Sequence, residues 1–198
     1  VSSQFSFVGE LSEIAKKIAK KLKLVENISR NKSLVYNKNY LIKNYSPKQL
    51  KLTIKKINKK FDNVVIFNGF FSNSFITNYN EKDFDNSFKI NFKIPITIAT
   101  LLINKKILNV NAGIFFISSI AAETNQIGNA FYSIAKKSLN FAAQLLSKEQ
   151  KKRGVRINSI SLGLVENKMG KSVLGAKIKK KKLFYLNEKN LTSKIIKI

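Results

Sequence analysis

The 198-residue chain has no cysteine, no histidine and no tryptophan, and it has one methionine, two prolines and eight glycines. Without cysteine or histidine there are no disulfides, no thiolate nucleophile, no imidazole acid or base and none of the usual zinc ligands, so no metal site is expected. Proton chemistry falls to Tyr, Lys, Ser, Asn or carboxylates. The scarcity of Pro and Gly, with 44% hydrophobic and 11% aromatic residues, excludes collagen-like, linker-rich and disordered chains. No apolar run reaches the roughly 18 residues of a membrane span, and no signal-peptide pattern is present. These absences predict a cytoplasmic protein with no membrane partner. Acidic residues are also few, 11 against 37 basic ones, for a net charge of +26. That balance suits a polyanion partner. Yet the basic residues are lysines scattered through almost every segment, with only Arg30, Arg153 and Arg156 beside them. Nucleic-acid readers concentrate Arg and exposed aromatics on one element. The charge therefore reads as drift in residue usage, in a chain also heavy in Asn, Ile and Phe, and nucleic acid is not an expected partner.

What is present alternates in period. Ile14, Ile18, Leu22 and Val25, joined by Ala15 and Ala19, recur at helical spacing and predict an amphipathic helix. Residues 33–36 and 40–42 are short apolar bursts that read as strands, and Ser46-Pro47 starts a helix carrying Leu50, Ile54 and Ile57. Residues 63–67 (NVVIF) and 113–118 (GIFFIS), the latter with the core pair Phe115-Phe116, are strands of the kind buried on both faces. A helix interrupted at Pro95 is predicted over 83–104. A longer one is predicted over 131–151, with Ile134, Leu139, Phe141, Ala142 and Leu145 inward and a stop at Gly154. Residues 155–160 make the next strand. Helices alternating with doubly buried strands imply a doubly wound parallel sheet, Rossmann-like, in three α/β/α layers, formed by one domain over 1–198. The chain opens on Val1 and closes on an apolar strand pattern at 195–198, so both ends are expected to be cut. The lysine run at 179–182 reads as a solvated face.

In such folds ligands sit outside the carboxyl ends of the strands. Tyr132 and Lys136, four apart on one helix face, follow the strand that ends at Ser119. A free phenol has a pKa of about 10, and acid/base work near neutrality asks for roughly 4 kcal/mol of phenolate stabilisation, which a neighbouring ammonium supplies in the right sense. Ser119, Tyr132 and Lys136 at this spacing resemble the active-site set of the short-chain dehydrogenase/reductase family, and within it the 3-oxoacyl-[acyl-carrier-protein] reductases. Other landmarks fall in order. Asn68-Gly69 is similar to the family's Asn-Asn-Ala-Gly turn, shortened here. Asn91 sits where the family has its fourth catalytic residue. Residues 156–169 (RINSISLGLVENKM) resemble the strand and Pro-Gly motif that lies against the nicotinamide, with Leu162 in place of Pro, and residues 183–198 resemble the closing helix and strand.

The resemblance implies hydride transfer between a nicotinamide cofactor and a carbonyl or alcohol carbon. Tyr132 would protonate the nascent alkoxide, Lys136 would lower its pKa and hold the ribose, Ser119 would orient the carbonyl, and Asn91 would anchor a relay water. Gly9, Asn68, Gly69, Gly163 and Val165, with Tyr132 and Lys136, would contact the cofactor. It also implies a small-molecule or acyl-thioester substrate, an acidic acyl carrier protein as partner, and a homo-oligomer built on the long helices. The first strand-to-helix turn departs from the pattern. It has only Gly9, which aligns with the second or the third family glycine depending on the direction of counting, so Ser3 or Phe5 and Phe7 or Leu11 take positions that need no side chain. The connection between Tyr36 and Tyr40 is too short for a helix. Neither Asn37 nor Lys38 is an acid suited to a ribose diol, and Lys38 can meet a 2′-phosphate, which favours NADP(H) over NAD(H). Three rivals stand beside a ketone reductase: a sugar or polyol dehydrogenase, a non-catalytic interaction module whose glycine loop has eroded, and a lysine-borne polyanion binder.

Overall fold

The computed structural model describes residues 5–9, 13–20, 22, 25–124 and 127–163. Six parallel strands form one sheet: β1 (Phe5–Val8), β2 (Val25–Ser29), β3 (Lys38–Leu41), β4 (Phe61–Ile66), β5 (Leu108–Ser119) and β6 (Arg156–Leu162). Their order is β3-β2-β1-β4-β5-β6, so strand order reverses between β1 and β4. Strands covered on both faces alternate their side chains between two cores. Val64, Ile66, Ile114 and Phe116 enter one cluster with helices α2 (Pro47–Lys55), α4 (Ile94–Asn104) and α6 (Ala130–Gln150). Val65, Phe67, Phe115 and Ile117 enter the other, with Ala15 and Ile18 of α1 (Glu13–Ala19). The α/β/α sandwich expected from the sequence is the fold. Among the described residues no helix is long and apolar enough to cross a membrane.

Local chemistry explains the boundaries. The Ser46 hydroxyl accepts from Gln49 N at 3.4 Å ahead of Pro47, which supplies the fixed φ that a first helical position tolerates. Asn80 caps α3 (Glu81–Phe88) by accepting from Asp83 N at 3.0 Å. Pro95 does not break the predicted helix. Residues Lys89–Lys93 form one π-helical turn, with Ile94 N donating to Lys89 O, and the proline falls in the first turn of α4, where its missing N–H is harmless.

Three expectations about elements are corrected. The first helix stops at Ala19, and Val25 opens β2 instead of closing that helix. Residues 33–36 turn, and the second strand is Val25–Ser29, hidden in the sequence because Glu26 and Asn27 interrupt its apolar character. Glu26 is buried and tolerable there because Lys59 Nζ stands 2.8 Å from its carboxylate. Finally, Ile134, Phe141 and Leu145 of α6 face outward, and the buried stripe is Phe131, Ala135, Leu139 and Ala143. Two apolar stripes compete on that helix, and the one bearing two alanines lets its backbone approach the sheet closely.

Candidate active site

The parallel register brings Gly9, Asn68, Ser119 and Gly163 to the same edge of the sheet, at or just past the carboxyl ends of β1, β4, β5 and β6. Gly9 follows β1 directly with φ +137°, and a Cβ there would stand 3.1 Å from Asn68 N and from Phe67 C. It is therefore the tight-turn glycine at the switch point, where a side chain would be strained and crowded. Phe5 and Phe7 belong to β1, so neither occupies the turn. Ser3 and Leu11 lie outside the described residues.

Ser119 ends β5 and is held in register by β6: it pairs with Leu162, and Ile120 N donates to Leu162 O at 2.9 Å. One helix away, Tyr132 and Lys136 lie on successive turns of α6. Tyr132 stands near enough to the Ser119 side chain for it to act on the phenol's pKa. Lys136 is buried, with Nζ 5.9 Å from the centroid of the Tyr132 ring. Its ammonium donates to Ile117 O at 2.8 Å and Asn68 O at 3.2 Å, the backbone ends of two neighbouring strands. Ser119, Tyr132 and Lys136 thus form one constellation.

The electrostatics differ from the expected lowering of the phenol by the ammonium. Burial raises the Tyr132 pKa above its ordinary value, and the neighbouring Ser119 side chain opposes that rise. Burial brings Lys136 down to about 7, because its charge is taken fully out of water.

Asn91, fully buried in the π turn, is spent on Phe70: Oδ1 accepts from Phe70 N at 2.9 Å and Nδ2 donates to Phe70 O at 2.8 Å. This two-point clamp fixes the backbone just past Asn68-Gly69. The loop is fastened again at Ser74, whose N donates to Gly128 O at 2.9 Å, whose O accepts from Ala130 N at 3.0 Å, and whose hydroxyl accepts from Phe131 N at 3.1 Å. Between the fasteners Phe71 sets its ring edge-on to Tyr132, centroids 5.4 Å apart at 70°. The sequence marked neither Phe71 nor Ser74. A pair of adjacent aromatics just past Asn68-Gly69 was the only available signal.

The model of a family described as short chain dehydrogenase matches residues 8–177. The chain belongs to the short-chain dehydrogenase family. Its members are oxidoreductases that generally use NAD or NADP, act on small molecules and often oligomerise. Among solved structures, a dehydrogenase/reductase from Sinorhizobium meliloti 1021 superposes with a TM-score of 0.80 at 18% identity, covering 98% of this chain and 87% of its own. A short chain dehydrogenase family protein from Francisella tularensis subsp. tularensis SCHU S4 gives 0.78 at 18%, covering 87% and 74%. Thermoplasma acidophilum aldohexose dehydrogenase gives 0.74 at 17%, covering 83% and 68%. At such identities these likenesses speak for the fold. Curated proteins gave no match.

The ribose end of a family cofactor finds fitting groups. Asn68 Oδ1 is buried without a hydrogen-bond partner, and Lys136 Nζ donates to the main-chain O of the same residue, so this turn carries an acceptor and a donor of the kinds a diol takes. Lys38 does not serve the other end. It opens β3, opposite Glu26, with its ammonium 4.9 Å from the Tyr40 ring, toward the amino edge of the sheet. The residues just past the carboxyl end of β2 are Arg30 and Lys32, both exposed. Val165 and the run at 179–182 lie outside the described residues. A cavity of about 1060 Å³ flanked by Tyr45, Phe88, Phe92 and Ile96 is lined by none of Ser119, Tyr132 and Lys136.

Proposed function

We propose that the chain reduces a ketone with NADPH, and that its substrate is a 3-oxoacyl thioester. The observation that carries this reading is the set at the switch edge: Ser119 near Tyr132, with buried Lys136 Nζ 5.9 Å from the centre of the Tyr132 ring. When bound, the nicotinamide supplies a hydride to the carbonyl carbon. The Tyr132 hydroxyl gives its proton to the oxygen of that carbonyl, which leaves as an alcohol. A phenol whose pKa is raised by burial keeps its proton at neutral pH and so stands ready as the acid. Ser119 orients the carbonyl through its hydroxyl. Lys136 holds the ribose and, with a pKa near 7, accepts or returns a proton at working pH. Asn91 is a positioning residue, acting through Phe70. Gly9, Asn68, Gly69, Gly163 and Val165 border the cofactor.

Arg30 and Lys32 support NADP(H) over NAD(H), since a 2′-phosphate takes basic groups at the carboxyl end of the second strand. The net charge of +26 suits an acidic acyl carrier protein as the substrate's bearer. The exposed stripe Ile134, Phe141 and Leu145 on α6 supports a homo-oligomer packed through that helix.

Fluorescence titration with NADPH and NADH, followed by oxidation of the bound nucleotide with an acetoacetyl thioester, tests the reading. Tyr132→Phe is expected to bind NADPH like the wild type and to lose roughly 10²- to 10⁴-fold in turnover. Folded protein that binds neither nucleotide would falsify the proposal.

A further inference from the structure

We infer that Phe71 determines specificity, packing the apolar substituent of the substrate beside the reacting phenol, so that the preferred ketone carries an alkyl chain and not a run of hydroxyls. The inference deepens the reductase reading and rests on it for the identity of the reacting group. Phe71 is half-buried, and its ring meets the Tyr132 ring edge-on at 5.4 Å. Two fasteners on either side, the Asn91 clamp on Phe70 and the Ser74 bonds to residues 128–131, hold the segment in place. An aromatic so placed is preorganised and loses little entropy when a ligand packs on it.

The wall continues outward. Phe75 is 50% exposed, and its ring tip lies 3.9 Å from where a Cβ of Gly128 would stand. Ile127, next to that glycine, is 89% exposed. Phe71 beside Tyr132, and Phe75 and Ile127 on the two segments joined by the Ser74–Gly128 bond, are apolar side chains on a protein whose surface is otherwise rich in lysine. A polyol would need donors and acceptors there. The side chains of Phe71, Phe75 and Ile127 offer neither. An alkyl chain asks only for burial, worth about a two- to fourfold gain in affinity per methylene where the wall is in contact.

The test is calorimetric titration of the full chain, with and without NADPH, using methyl ketones from butanone to decanone and the ketose fructose. The same compounds are assayed for NADPH oxidation. Wild type is expected to bind more tightly with each added methylene and to bind fructose far more weakly than decanone. Phe71→Ala should flatten the chain-length dependence and Phe71→Leu should restore most of it, each variant keeping wild-type circular dichroism. A wild-type affinity indifferent to chain length, fructose binding that matches decanone, or a slope unchanged in Phe71→Ala overturns the inference. Binding that follows chain length without any NADPH oxidation leaves the inference standing and removes the reductase reading instead.

Discussion

Lys136 is the residue whose setting departs furthest from its ordinary chemistry. A buried lysine with a pKa near 7 in the folded chain keeps about 10.5 when unfolded. Between those values the unfolded chain holds a proton that the folded one has lost, so raising the pH favours folding, and the burial penalty is fully present below about 7. The penalty is worth roughly 5 kcal/mol at its limit. Urea midpoints of wild type and Lys136→Met, measured from pH 6 to pH 10, separate this from the relief of general lysine repulsion shared by both. Wild type is expected to gain on the variant by up to roughly 4 kcal/mol across that range. Parallel curves would show that the ammonium is not desolvated. The pair Tyr132 and Lys136 was legible as a candidate from its spacing taken together with Ser119 and the landmarks in order. That burial outweighs charge in setting the phenol was not, because the partners of Lys136, Asn68 O and Ile117 O, are backbone atoms contributed by two other strands.

At the level of elements, one lysine closes a helix from a distance. Lys105, past the end of α4, donates to Ile54 O at 2.6 Å, Lys55 O at 2.7 Å and Ile57 O at 2.7 Å. These are carbonyls at the carboxyl end of α2, where the helix dipole favours a cation and the last C=O groups lack internal partners. Lys105→Met should therefore cost about 1 to 3 kcal/mol. That is a fall of roughly 2–4 °C per kcal/mol in Tm by calorimetry for a chain of this size. An unchanged Tm would show that water serves those carbonyls equally well. Ser46-Pro47 announced where α2 begins. What ends it is a contact across the fold that no local pattern carries. The same contrast holds for β2, whose buried Glu26 makes sense only once Lys59 is seen beside it.

On the scale of the whole molecule, the proposed assembly rests on the outward stripe of α6. Ile134, Phe141 and Leu145 are 42%, 61% and 44% exposed and share one helix face. Packing two such faces removes apolar surface from water, against the repulsion of two bodies each carrying +26. Sedimentation equilibrium should give a multiple of the chain mass at physiological salt. Phe141→Lys should shift the mass toward the single chain while leaving circular dichroism intact. A variant that assembles like the wild type would place the interface elsewhere.

By itself the amino-acid sequence determined the layered α/β class, the strands β4 and β5, the helix start at Ser46-Pro47 and the candidate set Ser119, Tyr132 and Lys136, since period, caps and ordered spacing are local properties of the chain. Tertiary structure alone decided which face of α6 meets the sheet, that the second strand is Val25–Ser29, that Gly9 is the tight-turn glycine, and that Phe71 stands beside Tyr132. Each of these depends on which distant segment supplies a neighbour, and periodicity is silent on that. A period of 3.6 is satisfied equally by either stripe of a helix. A buried charge or a positive φ becomes favourable only against the particular atoms that the completed fold brings to it.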